Sequence, residues 1–161
     1  MRNLKNNKQG FTLVELLVVI GIIVILFAVI LVAVDPAKRL RQARDAVRQQ
    51  DVRDLLEAIQ EYTVDNNGVI TGLGIDSNAA TYEVVGTAAA GCDSTCTAQT
   101  TAAACVDLTT PLVDDYLAAV PADPATGTAA NSDYYVNITA AGRIVVGSCD
   151  PEVAAAIEVS R

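Results

Sequence analysis

A long uncharged stretch near the N-terminus is the feature that most constrains this chain. Residues 16–34 carry no charge, and the apolar run extends back to Phe11 with Glu15 as its one charged residue. A helix of about 20 apolar residues spans the ~30 Å hydrocarbon core of a bilayer. The sequence therefore predicts a membrane-spanning helix over residues 11–35.

The alternative for the same stretch is a secretory signal peptide that is removed, which the basic start of the chain would suit. The run is longer than the usual apolar core of such a peptide, however, and no small-x-small cleavage site follows it. We therefore expect the apolar helix to stay attached to the rest of the protein.

A second, amphipathic helix is predicted over 36–66. Pro36 directly after Asp35 is a helix start signal, although the same pair could kink one continuous helix. Apolar residues then recur at roughly helical spacing, with a polar gap at 48–51. Asn66-Asn67-Gly68 predicts the end, because Asn and Gly accept the left-handed conformation found there.

The combined length of the two helices has a consequence for packing. A helix over residues 11–65 would be ~80 Å long at 1.5 Å per residue. A chain of 161 residues is too small to cover such a rod by itself. We expect the first half to pack against lipid or against other subunits.

The distal part, 67–161, is predicted to form a small β-rich globular head. Short β-prone runs occur at 82–85, 134–139 and 143–146, and Ala140-Ala141-Gly142 would join the last two as a hairpin. A short helix is predicted over 110–119.

Four cysteines, Cys92, Cys96, Cys105 and Cys149, all lie in this distal part. Their spacing fits no familiar zinc pattern, although a site of four thiolates is compatible with their number. An even number of cysteines in a small exported domain favours two disulfides. Three pairings are open, and the sequence does not choose among them.

Charge and composition exclude some functions. Of the 19 acidic residues, 15 follow residue 53, where only Arg143 and Arg161 are basic. Such a surface repels phosphate backbones, so we predict no direct nucleic-acid binding. The chain has no His, which removes the usual general base, and no catalytic pair or cofactor motif is visible. We predict neither an enzyme nor a cofactor.

The segment Gly10-Phe11-Thr12-Leu13-Val14-Glu15-Leu16-Leu17, after a short basic leader, resembles the class III signal of type IV prepilins and type II secretion pseudopilins. The resemblance implies an α+β type IV pilin fold, in which a long N-terminal helix packs its second half on a small antiparallel sheet with a disulfide-stapled loop. It also implies that a prepilin peptidase removes the leader, 1–10, by cutting between Gly10 and Phe11, and N-methylates Phe11.

The same resemblance implies an assembly role for Glu15 and a set of partners. In this family the carboxylate meets the amine of the first residue of a neighbouring subunit, whereas the simpler alternative is a Glu that reaches to the membrane interface. The implied partners are other copies of the chain in a helical filament, the peptidase, the membrane and its assembly platform. Before assembly the chain would cross the inner membrane once with its N-terminus in the cytoplasm. Afterwards it would lie in an extracellular filament or a periplasmic pseudopilus.

Several alternatives stay open from the sequence. The chain could be a pilin, a secretion pseudopilin, a minor subunit that initiates the filament or binds a ligand, or a membrane-anchored binding domain that does not polymerise. Asp123 and Asp133 are weak calcium candidates, without EF-hand spacing.

The bases at 38–53 either face acidic surfaces of adjacent subunits or form a solvated helix face. The first alternative predicts that charge reversal of Arg41 and Arg44 lowers filament yield without unfolding the monomer.

Overall fold

The computed structural model describes residues 10–76, 78 and 80–161, so the nine residues of the basic leader before Gly10 lie outside the described part. Two compact units are present, and they divide between Arg39 and Leu40. The second unit, Leu40–Arg161, contains the globular head.

The predicted apolar helix is present as α1, Leu13–Val34. Thr12 caps its N-terminus, and Asp35, with a left-handed φ of 43°, follows its last residue. Every residue of α1 is exposed. Among the described residues, one helical stretch, Leu13–Asp65, is long and apolar enough to cross a membrane.

The second predicted helix is α2, Pro36–Asp65. Asp35 Oδ1 accepts a hydrogen bond from the Lys38 N–H at 3.2 Å, so the aspartate caps α2 as its position before Pro36 predicted. At the other end, Asn67 and Gly68 have positive φ values of 55° and 86°. The Asn-Asn-Gly stop signal is confirmed.

Four antiparallel strands form one sheet in the order β1-β2-β3-β4. They are β1 Glu83–Val84, β2 Tyr134–Ile138, β3 Ile144–Ser148 and β4 Glu158–Ser160. The predicted hairpin is β2–β3, with Val136 opposite Val146 at its centre. β4 was not predicted, because three residues after an alanine-rich segment carry no alternating pattern of their own.

The core of the head lies between α2 and this sheet. The buried residues of α2 include Val52, Leu55 and Ile59, each fully inaccessible, and they belong to one cluster with Val136 and Val146 of the sheet. This packing of an amphipathic helix on a small antiparallel sheet confirms the predicted α+β architecture.

Two short helical segments complete the head: a 3-10 turn at Thr71–Leu73 and α3 at Thr109–Leu112. The predicted helix over 110–119 is wrong in extent, since α3 ends after four residues. Val113 is extended, and Asp114 adopts a left-handed φ of 78°. The Asp114 N–H donates to the Leu117 carbonyl at 2.9 Å, so a tight turn replaces the helix.

The two predicted disulfides are present, and the structure selects one of the three pairings. Cys92 bonds to Cys105, which closes 13 residues, and Cys96 bonds to Cys149, which closes 53. No cysteine is free, which excludes the alternative of a four-thiolate zinc site. The first bond closes the Ala/Thr-rich loop, 86–105, on itself, and the second fastens this loop to the residue after β3.

Candidate functional site

The first candidate site is the N-terminal motif, where Thr12 and Glu15 form a reciprocal cap. The Thr12 N–H and hydroxyl donate to Glu15 Oε2 at 2.8 and 2.9 Å, and the Glu15 N–H donates to Thr12 Oγ1 at 3.2 Å. Such a capping box satisfies backbone donors that the first turn of a helix leaves without partners. It also fixes the carboxylate toward the N-terminal end of α1.

One oxygen of the Glu15 carboxylate accepts no hydrogen bond from the described residues. Both bonds from Thr12 end on Oε2, and no described residue donates to Oε1. Gly10 and Phe11 precede the helix in exposed, non-helical backbone. The predicted scissile bond therefore lies in an accessible segment directly ahead of the cap.

The surface that follows this motif is apolar on every side. The large apolar side chains of α1 are between 47% and 85% exposed, and no residue of the helix is buried. A helix that is hydrophobic all round belongs inside a bilayer or a larger assembly, because water would surround too much apolar area.

The second site is a buried ion cluster in the head, centred on Arg48. Its side chain is 1% exposed, and its guanidinium donates to Asp123 through Nε at 2.5 Å and Nη2 at 3.0 Å. Nη1 donates to Asp45 at 2.8 Å and to Glu152 at 3.0 Å. Hydrogen bonds to these three carboxylates, with that to Asp123 the strongest influence, raise the pKa of Arg48.

Asp45 ties the C-terminal segment to α2. Its carboxylate accepts the backbone N–H groups of Glu152, Val153 and Ala154 at 2.9, 2.7 and 2.9 Å. Burial acts to raise its pKa, but these three donors together with Arg48 outweigh burial and lower the pKa to about 2. The ionised carboxylate is therefore part of the folded head.

Sequence reasoning missed this cluster. Arg48 was counted within a polar gap, yet Asp45 and Arg48 continue the core-facing spacing of Val52, Leu55 and Ile59 toward the N-terminus of α2. That spacing is the signal by which both could have been placed on the inner face.

Arg44 also has an intramolecular partner. It forms an ion pair with Glu152, and hydrogen bonding to Arg44 is the main cause that lowers the pKa of Glu152 to about 2. Reversal of Arg44 would place two like charges together, so that substitution would act within the monomer as well as on filament yield, and the yield remains a prediction. Arg41 is exposed and forms no ion pair among the described residues.

Comparison with known proteins gives two matches. The family profile described as the prokaryotic N-terminal methylation motif matches residues 5–31. The type IV wide pilus major component PilA4 of Thermus thermophilus is 35% identical over 91 residues, which cover 52% of this chain and 68% of the relative. The chain belongs to the type IV pilin family. No solved structure matches it.

Membership of the pilin family indicates what the first site, the N-terminal motif, is for. The motif match covers Gly10, Phe11 and Glu15, so this pilin carries the methylation motif across the start of its apolar helix. The family indicates a structural pilus subunit anchored through that helix.

The weak calcium candidates of this pilin are Asp123 and Asp133. Among the described residues, no three His, Cys, Asp or Glu side chains are arranged to hold a metal ion. Both oxygens of Asp123 are occupied by Arg48, while Asp133 is 4% exposed and its Oδ1 has no hydrogen-bond partner. The structure thus gives Asp123 a role in the ion cluster.

Proposed function

We propose that this pilin is a main structural subunit that a prepilin peptidase cuts between Gly10 and Phe11, with N-methylation of the new Phe11 amine. The processed chain then polymerises through α1 into a type IV pilus. The observation that carries the proposal is an entirely exposed apolar helix that begins within a matched methylation motif. Leader, membrane helix, amphipathic helix and head are assigned to 1–10, 11–35, 36–66 and 67–161.

Glu15 supplies the contact between copies in this proposal. An ionised carboxylate within a spanning helix costs up to about 2.5–3.5 kcal/mol on insertion scales, and less near the interface. Cleavage creates a cationic amine on Phe11, and methylation keeps its charge. A neighbouring copy can therefore offer Glu15 the counter-charge that an apolar surrounding demands.

The capping box supports this role by presenting the carboxylate. Thr12 holds Oε2, so Oε1 stays open toward an approaching amine. Holding the side chain in place before binding reduces the entropy lost when two copies meet. Thr12 is accordingly proposed as the residue that positions Glu15.

The proposal also covers the location of the chain and its place as a main rather than a minor subunit. Before assembly the chain would cross the inner membrane once, N-terminus inside, and the assembly platform would move it into the filament. A main subunit is proposed over an initiating minor one because every copy within a filament needs the Glu15 contact. The PilA4 relative, described as a major component, favours the same choice.

Mass spectrometry of filaments sheared from the producing cells tests processing and polymerisation together. We expect the chain to be the abundant component, to begin at Phe11 and to carry one methyl group on its terminal nitrogen. Filaments without this polypeptide, or a chain that still contains the Gly10–Phe11 bond within them, would contradict the proposal.

Substitution of Glu15 separates the assembly role from simple placement at the interface. We expect Glu15→Ala to abolish filaments while membrane insertion and N-methylation persist, because the amine of the next copy loses its counter-charge. Leu13→Ala is the matched control on the same turn and should retain filaments. Normal filaments from Glu15→Ala would show that the residue only reaches to the interface.

A further inference from the structure

Two adjacent depressions mark one side of the head. The first is an open groove of about 460 Å³ between α2 and the segment after α3, and four carboxylates line it: Asp51, Asp54, Glu57 and Glu61. No basic side chain is among its lining residues. The groove thus holds concentrated negative charge that nothing in its own wall neutralises.

The second depression, of about 300 Å³, is mostly apolar. Its wall includes Val85, Val113 and Val120, together with Ala119 and Pro121. The last two residues also line the acidic groove. The segment 119–121 is therefore a shared wall, with apolar surface on one side and carboxylates on the other.

A matching pair of side chains lies at the start of the second unit, on α2. Leu40 is 62% exposed, and the neighbouring Arg41 is exposed without an ion pair among the described residues. Consecutive residues of a helix point about 100° apart, because a turn holds 3.6 residues. An apolar and a basic side chain therefore diverge from one point of the helix, which offers one side chain of suitable chemistry for each of the two depressions.

We propose that Leu40 and Arg41 of one copy dock over segment 119–121 of a second copy, with Leu40 in the apolar depression and Arg41 at the acidic groove. This contact rests on the proposed polymerisation and specifies which head surface meets which helix surface. Charge complementarity selects a second copy as the occupant, and electrostatic pairing of this kind fixes register between subunits.

Arg41 is the base whose surroundings fit this contact. Arg44 and Arg48 are held by Glu152, Asp45 and Asp123 within the head. Arg41 instead is exposed beside an exposed leucine.

A charge exchange tests the contact in the full chain. We expect Arg41→Glu to lower the yield of sheared filaments about fivefold, since it replaces attraction by repulsion at every interface. Adding Glu61→Arg to that variant should restore most of the yield. Arg53→Glu makes the same charge change at an exposed position of α2 that does not line the groove, and it should leave the yield unchanged.

Cross-linking gives an independent measurement. Cells would co-express one chain with Leu40→Cys and another with Ala119→Cys, and sheared filaments would be treated with a short bis-maleimide. A cross-linked dimer that neither variant gives alone supports the contact.

Filaments without that dimer, or an Arg41→Glu variant that behaves like Arg53→Glu, would overturn the contact while leaving polymerisation intact. Absence of the wild-type chain from filaments would instead overturn the proposed function and this contact together.

Discussion

Replacement of Arg48 by methionine tests whether the buried ion cluster holds the head together. Methionine keeps an unbranched apolar stem in the core but removes the guanidinium. Asp45 keeps its three backbone donors, and Glu152 keeps Arg44. Asp123 is affected most, because its side chain is fully inaccessible and loses both guanidinium bonds.

The expected loss follows from those two bonds. A hydrogen bond to a charged group contributes ~1.5–3 kcal/mol, and breaking a buried ion pair costs ~3–5 kcal/mol. We expect Arg48→Met to lower the free energy of unfolding by about 4 kcal/mol at pH 7, within that range. Adding Asp123→Asn should recover about 2 kcal/mol, because a neutral amide no longer carries an uncompensated charge.

The effect of pH has a definite sign. In the wild type, burial acts to raise the pKa of Asp123, but Arg48 and the backbone N–H groups of Ala125 and Thr126 lower it below the ordinary 3.8. Its contribution is thus present above pH 3.8 and is lost as pH falls through the folded pKa. Without Arg48 the pKa of Asp123 rises, so the variant should lose less stability than the wild type on acidification. The difference in stability between the two should therefore narrow as the pH falls toward 4.

The assay is denaturant unfolding of the full chain in mild detergent, followed by the near-ultraviolet dichroism of its tyrosines with both disulfides intact. Arg53→Met is the matched control, since Arg53 is exposed on the same helix, and it should change stability by less than about 0.5 kcal/mol. An Arg48→Met variant within about 1 kcal/mol of wild type would refute the reasoning. So would a double variant that is no more stable than the single one.

Two further substitutions probe the sheet and the loop. A Cβ at Gly147 would collide with the Tyr135 ring and lie 2.9 Å from the Ile157 carbonyl oxygen, so Gly147→Ala should destabilise the head by about 2 kcal/mol in the same unfolding assay. Replacing Cys96 and Cys149 by Ala removes the disulfide that closes a loop of 53 residues and should lower the free energy of unfolding by about 4 kcal/mol. Loss of the Cys92–Cys105 disulfide, which closes 13 residues, should lower it by less. Equal losses for the two disulfides would contradict the chain-entropy account.

Local sequence signals predicted the elements whose causes are local. The Asp35 cap, the Asn67-Gly68 stop and the turn at Gly142 each act within a few residues, and the structure places all three as expected. The burial of Arg48 depends instead on Asp123, 75 residues away, and on Glu152, 104 residues away. No local pattern reports partners at such distances.

The same distinction explains β4 and the disulfides. Residues 158–160 become a strand because β3 offers them an edge, with Val159 opposite Val146. Cys96 pairs with Cys149 because the fold brings the loop to the end of β3, which the spacing of cysteines does not encode.

Glu15 and Arg48 share one unusual property: each is a charged residue on a helix surface that is mostly apolar. Charged side chains are almost never buried without a partner. Arg48 meets this requirement within its own chain, through three carboxylates. Glu15 has only the neutral Thr12 among the described residues, with one carboxylate oxygen left open. If α1 is enclosed by other subunits as proposed, a second copy would supply the counter-charge of Glu15 through the freed amine of its Phe11.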